Sequence, residues 1–286
     1  MQIVLFFLVQ LGRLPLGVLR ALGVGLGYVL YFLVSNRRRI VWINLRLCFP
    51  HWTDEQTRTC ARATFVHFAQ SWLDRGWLWH GTPAVTQQRV RITGALEELE
   101  GNEPCIIFAP HFFGLDAGWT ALTQQVSRRF NTIYTDQSNA VSDAWILQGR
   151  RRYGDPGIFG RAEGVKPIVS GLRKGEVLYL LPDMNFGPHE SLWVHFYGVP
   201  AATVPSLSRF ARLAKAKVVP VISRLTQNGY EITVLPAWQD FPTEDLTADT
   251  SRMNLCLQSY IDTMPGQYYW VHKRFKDQPA GVEPPY

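Results

Sequence analysis

The segment FAPHFFGLDAGW, residues 108 to 119, places His111 and Asp116 with four residues between them in otherwise apolar surroundings. An imidazole and a carboxylate are the usual pair for moving a proton: a carboxylate that accepts from Nδ1–H fixes the tautomer, leaves Nε2 as a base and stabilises the imidazolium. On one continuous helix side chains five positions apart are about 140° out of phase and do not meet. A strand that ends at Pro110 removes the difficulty. His111 then occupies the turn at the strand's carboxyl end, and Asp116 begins the next helix and folds back to the ring. No Ser or Cys stands in a recognisable nucleophile elbow, so the pair suits activation of a substrate hydroxyl better than a covalent route. On spacing alone the ordinary roles stand beside this one: a hydrogen-bonded histidine and an aspartate that caps a helix.

The elements that must position these residues follow from hydrophobic rhythm. After Pro83, short apolar runs alternate with helical segments. CIIFA (105–109), NTIYT (131–135), VLYLL (177–181), LWVHF (192–196), KVVPVI (217–222) and YEITVLP (230–236) read as strands of one sheet. Helices are predicted through DAGWTALTQQ, SDAWILQGRRR, GVKPIVSGLRKG and SLSRFARLAKA, with a last one over about 248–263. The alternation predicts an α/β fold, a mostly parallel or mixed sheet flanked by helices, in one body without repeats. Open α/β sheets bind ligands at the carboxyl ends of their strands. Asp183, just past VLYLLP, is therefore expected beside His111, either to organise the site or bind substrate, with a loop-capping carboxylate as the alternative. His272 is assigned no catalytic role, because nothing in the sequence places it near His111.

Residues 1–34 are dominated by Leu, Val, Phe, Gly and Tyr and are followed by SNRRR, which predicts an uncleaved N-terminal membrane anchor over 1–36 and a single domain over 37–286. A signal peptide would carry its positive charge before the apolar core, whereas Arg37, Arg38 and Arg39 follow it. Arg13 and Arg20, two helical turns apart, share a face and are expected to snorkel to headgroups from a spanning or surface-lying helix. A buried hairpin of a soluble protein is the alternative. The arginine triplet favours a cytoplasmic body. Thr53 and Gln56 form a capping-box pattern that starts a long helix containing Trp72, Trp77 and Trp79, residues suited to a core or to a membrane interface.

Of the 286 residues, 47% are hydrophobic and 18% charged, too apolar for disorder and too interrupted for a polytopic transporter. The formal net charge of +6 fits an anionic membrane first. Without zinc-finger spacing, an RNP-like motif or a long basic arm, nucleic acid is not expected as a partner. Cys48, Cys60, Cys105 and Cys256 show no ligand spacing and read as buried free thiols in a reducing compartment.

HFFGLD resembles the histidine, four residues, acid motif of lysophospholipid-type acyltransferases. Nearly the whole chain is similar to the lipid A late acyltransferases, the Kdo-lipid A lauroyl/myristoyl group: RRRIVWINLRLCFP (37–50), GLRKGEVLYLLPDMNFG (171–187), AATVPSLSRFARLAKAKVVPVISR (201–224) and MPGQYYWVHKRFKDQPAG (264–281) carry the likeness. One departure is Asn185, near the place where the family usually has a second acid after its Pro-Asp pair; Asp183 is kept and Phe186 supplies the usual aromatic. The resemblance implies transfer of a fatty acyl group from an acyl carrier protein thioester to a hydroxyl on an acyl chain of a lipid A precursor. His111 would be the base and Asp116 would orient it. The oxyanion donors would be backbone N–H groups near Phe112 to Gly114 or a nearby cation. An anionic acceptor calls for arginines, of which Arg161 comes first and Arg209 and Arg224 next. Acyl carrier protein, the lipid A precursor and an anionic membrane are the implied partners, with no metal or organic cofactor required. The implied location is the cytoplasmic side of a bacterial inner membrane. An acyltransferase for a lysophospholipid or other lysolipid is the nearest alternative, a membrane-bound thioesterase or hydrolase the next, and a non-enzymatic lipid-binding protein the last.

Overall fold

The computed structural model describes residues 2–286. Pro15 separates the first two apolar helices, α1 (Gln2–Leu11) and α2 (Leu16–Leu33), since it cannot donate a backbone hydrogen bond. Helix α3 (Ser35–Cys48) follows, and then α4 (Asp54–His80), whose start carries the predicted capping box: Gln56 N–H donates to Thr53 Oγ1, and Thr53 N–H donates to Gln56 Oε1. Helix α2 buries Leu19, Gly23, Gly27 and Tyr31, one residue every four, against α4. The two backbones are so close that a Cβ on Gly27 would lie 2.5 Å from Val66 Cα.

Arg20 does not snorkel. Its guanidinium lies buried between α2 and the body, 2.7 Å from Asp74 Oδ2, and Nε donates to the carbonyl of Thr226. Burial in the helix interface forces this pairing, because an unpaired guanidinium there would lose its hydration without compensation. Arg13, in the turn after α1, is exposed. The outward side of the two helices is apolar: Phe6, Phe7, Leu22, Val29, Phe32 and Leu33 are exposed. Among the described residues α2 is the one helix long and apolar enough to cross a bilayer, by length and composition.

The remaining elements alternate. Helix α5 (Pro83–Arg89) leads into β1 (Val90–Gly94), followed by β2 (Cys105–Phe108), α6 (Leu115–Gln125), β3 (Phe130–Tyr134), α7 (Ala140–Arg150) and β4 (Gly157–Gly160). Then come α8 (Lys166–Arg173), β5 (Val177–Leu180), β6 (Leu192–Phe196), β7 (Val199–Thr203), α9 (Ser206–Ala214), β8 (Lys217–Thr226), β9 (Gly229–Val234) and α10 (Leu246–Asp262). The main sheet has seven strands in the order β1-β9-β8-β2-β5-β3-β4. All its pairings are parallel except β8 with β9. One apolar cluster joins Ile106, Phe108, Leu178 and Val218 to α8, α9 and α10; the other joins Cys105, Ile107, Tyr179 and Val219 to α6 and α7. Strands covered on both faces read as continuous apolar runs, which is why CIIF and VLYL were legible.

LWVHF is not a strand of this sheet. It pairs antiparallel with β7 in a separate hairpin, closed by Tyr197 and Gly198, which both have positive φ (51° and 76°). A two-residue turn with both residues in that region matches the twist of a hairpin and holds the two segments to each other. Strands β1 and β4, at the two edges, carry too little apolar pattern to be foreseen. Trp77 and Trp79 are core residues, while Trp72 is half-buried; Cys48, Cys60 and Cys105 are buried free thiols and Cys256 is partly exposed.

Candidate active site

Strands β2 and β5 are parallel neighbours with Phe108 opposite Leu180, so the residues that follow them leave the sheet side by side. His111 and Asp183 meet there. The His111 backbone N–H donates to Asp183 Oδ2 at 3.0 Å, and Nδ1 lies 2.7 Å from Oδ1. A carboxylate only accepts, so Nδ1 carries a proton, and in the neutral ring Nε2 keeps its lone pair. Tyr268 donates its hydroxyl to Asp183 Oδ2 at 3.1 Å. Burial works to raise the Asp183 carboxyl, but the charge His111 carries once it takes a second proton, together with the hydrogen bonds it donates, outweighs burial and holds the carboxyl below its ordinary value.

The expected contact between Asp116 and His111 is replaced by a different one. Asp116, in the first turn of α6, accepts from Arg75 of α4 through Nε (3.0 Å) and Nη2 (2.7 Å), and from Arg150 at the end of α7 through Nε (3.1 Å) and Nη2 (2.9 Å). Arg75 gives both N–H groups to Oδ2 and Arg150 gives both to Oδ1, so each carboxylate oxygen accepts two charge-assisted bonds, a stronger set than one imidazole N–H supplies. Burial works to raise this carboxyl; Arg150 and Arg75 outweigh it and hold the pKa at about 2. The cluster carries one net positive charge. Arg75 also stacks on Trp72, 4.0 Å from the ring centre.

These groups line one cavity of about 440 Å³ that includes His111, Asp116, Arg75, Arg150, Tyr269 and His272. A second, of about 860 Å³, is lined by Arg161, Arg209, His189 and apolar residues of α8 and α9. Arg161 and Phe186 border both, with the guanidinium 4.2 Å from the ring centre. Arg224 lines neither cavity and donates to Thr263 Oγ1 instead, because it stands near the far end of β8. Of the backbone donors expected near Phe112 to Gly114, Phe112 N–H is bonded to the carbonyl of Pro110 and Phe113 N–H to that of Gln267, and Gly114 does not line the cavity.

A family model for bacterial lipid A biosynthesis acyltransferases matches residues 1–277. The chain belongs to this family. Among lipid A biosynthesis acyltransferases, it is 30% identical to one of Haemophilus influenzae over 98% of this chain and 88% of the relative. It is 28% identical to the lipid A biosynthesis lauroyltransferase of Escherichia coli, over 98% of this chain and 91% of that one. It is 30% identical to the Escherichia coli myristoyltransferase of lipid A biosynthesis, over 88% and 79%.

In this lipid A acyltransferase, sequence reasoning missed Arg75, Arg150, Tyr268 and His272. Arg75 was hidden in a helix read for its tryptophans, and Arg150 in a run of three arginines at the end of α7. Tyr268 and His272 arrive through the bridge between Phe112 and Tyr268 and the bond from Tyr269 N–H to the His111 carbonyl, both contacts across more than 150 positions of chain.

Proposed function

We propose that the chain moves a fatty acyl group from an acyl carrier protein thioester to a hydroxyl on an acyl chain of a lipid A precursor, with His111 as general base. The observation that carries the reading is the imidazole whose Nδ1–H is held by a buried carboxylate while Nε2 is left without a partner among the described residues, in an arginine-lined cavity of a lipid A acyltransferase. The acceptor hydroxyl gives its proton to Nε2 as its oxygen bonds to the thioester carbon. The tetrahedral intermediate collapses, the C–S bond breaks, and the thiolate takes the proton back from the imidazolium. Asp183 stays ionised and stabilises that imidazolium. Asp116 acts at one remove, by holding Arg75 and Arg150 in place for the anionic acceptor, and Arg161 and Arg209 extend the positive wall into the larger cavity. The exposed apolar face of α1 and α2 lies in the inner membrane, with the catalytic body on the cytoplasmic side.

The test is transfer of labelled acyl groups from acyl carrier protein to a Kdo-bearing tetra-acylated lipid A precursor by membranes that contain the chain, compared with His111→Ala. Loss in the variant at equal protein level is expected. Transfer to a lysophospholipid but not to tetra- or penta-acylated lipid A precursors would move the acceptor to another lipid class. Release of the label as free acid would make the reaction hydrolysis.

A further inference from the structure

The loop after β5 holds both histidines of the catalytic cavity. Asp183 takes the Nδ1–H of His111, and two residues on, the backbone N–H of Asn185 lies 3.2 Å from Nε2 of His272. A backbone amide can only donate. Nε2 of His272 therefore bears no proton, and in the neutral ring the proton resides on Nδ1. Both rings are thus the Nδ1–H tautomer with a different nitrogen engaged: His111 gives its Nδ1–H to Asp183 and is left with the lone pair on Nε2, while His272 engages Nε2 with Asn185 and is left with the Nδ1–H. Neither of these atoms has a partner among the described residues, and both side chains line the 440 Å³ cavity.

His272 is held neutral. Burial is the main cause, the charge of His111 once protonated and that of Arg274 add to it, Lys276 adds a little, and Asp183 opposes; the ring is lowered to about 4. A neutral imidazole is a hydrogen-bond donor that does not compete with the base for the proton. The reaction in this cavity needs such a donor. When the carbonyl is attacked its oxygen becomes an oxyanion, and the amides of Phe112 and Phe113 are already bonded within the protein. Nε and Nη2 of Arg75 and Arg150 are engaged by Asp116, which leaves Nη1 of each, and Arg75 Nη1 is buried without a partner; those are donors on a fixed cation, whereas His272 offers a neutral one.

We infer that His272 is a catalytic residue whose Nδ1–H donates to the oxyanion of the tetrahedral intermediate, with His111 as the base in the same cavity. The hydroxyl proton goes to His111 Nε2, the carbonyl electron pair moves onto the oxygen facing His272, and it returns to the carbon as the C–S bond breaks; His272 keeps its proton throughout. The oxyanion role rests on the acyl-transfer reading above. The tautomer does not.

Three variants separate donation from mere positioning. The Asn amide places an N–H near the position of Nδ1, whereas the Gln amide reaches the position of Nε2 and keeps the bond to Asn185. His272→Ala is expected to lower kcat about 100- to 1000-fold with acceptor KM changed by no more than a few-fold. His272→Asn should recover at least tenfold over Ala, and His272→Gln should not. Recovery by Gln and not by Asn, or a rise in KM with kcat unchanged, would overturn the inference, because either reads the position of the loop. Should the Ala variant lose its thermal transition, the Asn and Gln pair gives the same decision. Independently of any substrate, 15N NMR of histidine-labelled protein in micelles, with His272→Gln for assignment, should show a neutral ring protonated on Nδ1 at pH 7. A ring charged or protonated on Nε2 sinks the proposal even if acyl transfer is observed. The expected tautomer in a wild-type chain that transfers no acyl group removes the oxyanion role and places the failure in the reaction, not in the histidine.

Discussion

His111 and Asp183 each stand three residues past a strand end, beyond the register partners Phe108 and Leu180, and their side chains close to 2.7 Å. The pair is a consequence of β2 and β5 being adjacent and parallel. Two strands that end in phase carry their chains out of the sheet at the same height, and the carboxylate, with no exposed surface, has the imidazole and Tyr268 as partners. An imidazole held in this way is oriented before any substrate arrives.

Replacing the charge while keeping the shape tests that orientation. Asp183→Asn should lower kcat by about 1000-fold or more, since the imidazolium loses its counter-charge and the tautomer is no longer imposed. Steady-state kinetics would check this. Because the two side chains act as a unit, adding Asp183→Asn to His111→Ala should cost little beyond the single change.

Asp116 is expected to behave as a holder of arginines. Asp116→Ala leaves Arg75 and Arg150 facing each other and should cost about 3–5 kcal/mol in unfolding free energy, measured by denaturant unfolding in detergent. Its acid dependence has a definite sign. The folded carboxyl at about 2 lies below its ordinary 3.8, so its contribution is present above that ordinary value and is lost as pH falls through the folded one. His272 adds an earlier step: lowered from 6.5 to about 4, it begins to cost stability as pH drops below 6.5, where the unfolded chain takes up a proton that the folded chain refuses until about 4. Unfolding in detergent followed from pH 7 to pH 3 should show the wild type losing stability first below 6.5, and His272→Gln losing less there, since His67 and His80, which burial also lowers, keep part of that decline.

The apolar N-terminal helices are joined to the body by a buried ion pair, so they should not behave as a separable anchor. Asp74 takes Arg20 Nη1 at 2.7 Å, the Tyr230 hydroxyl at 2.6 Å and Trp77 Nε1 at 2.8 Å. Asp74→Ala leaves all three donors unpaired and should destabilise by about 3–5 kcal/mol, with proteolysis opening first between α2 and α4. A variant as stable as the wild type would show that α2 is held by its apolar contacts alone.

The outward face of α2 makes a separate prediction. Phe32 is 62% and Leu33 76% exposed, so a Glu at either position should leave the fold intact. The same change should weaken partition into lipid vesicles, since a carboxylate must then enter the interface. Vesicle co-sedimentation, with unfolding as the control, measures both. Unchanged partition would place the membrane contact elsewhere.

What the chain's own order determined is local. The capping box at Thr53 and Gln56 starts α4, the apolar run CIIF makes a strand covered on both faces, and a turn at Pro110 brings His111 to its end; these follow from periodicity and capping within a few residues. The position of Asp183 at the end of β5 was legible for the same reason. Which carboxylate meets His111 was not. The pairing of β2 with β5 joins positions 72 apart, and Asp116, whose spacing from His111 suggested a partner, is taken instead by arginines from α4 and α7. His272 reaches the cavity only because residues 268–269 bond to the turn that carries His111. Spacing records what neighbours along the chain can do for one another. Contacts between distant segments are chosen by burial and by competition among donors, and those are settled when the sheet and its helices close together.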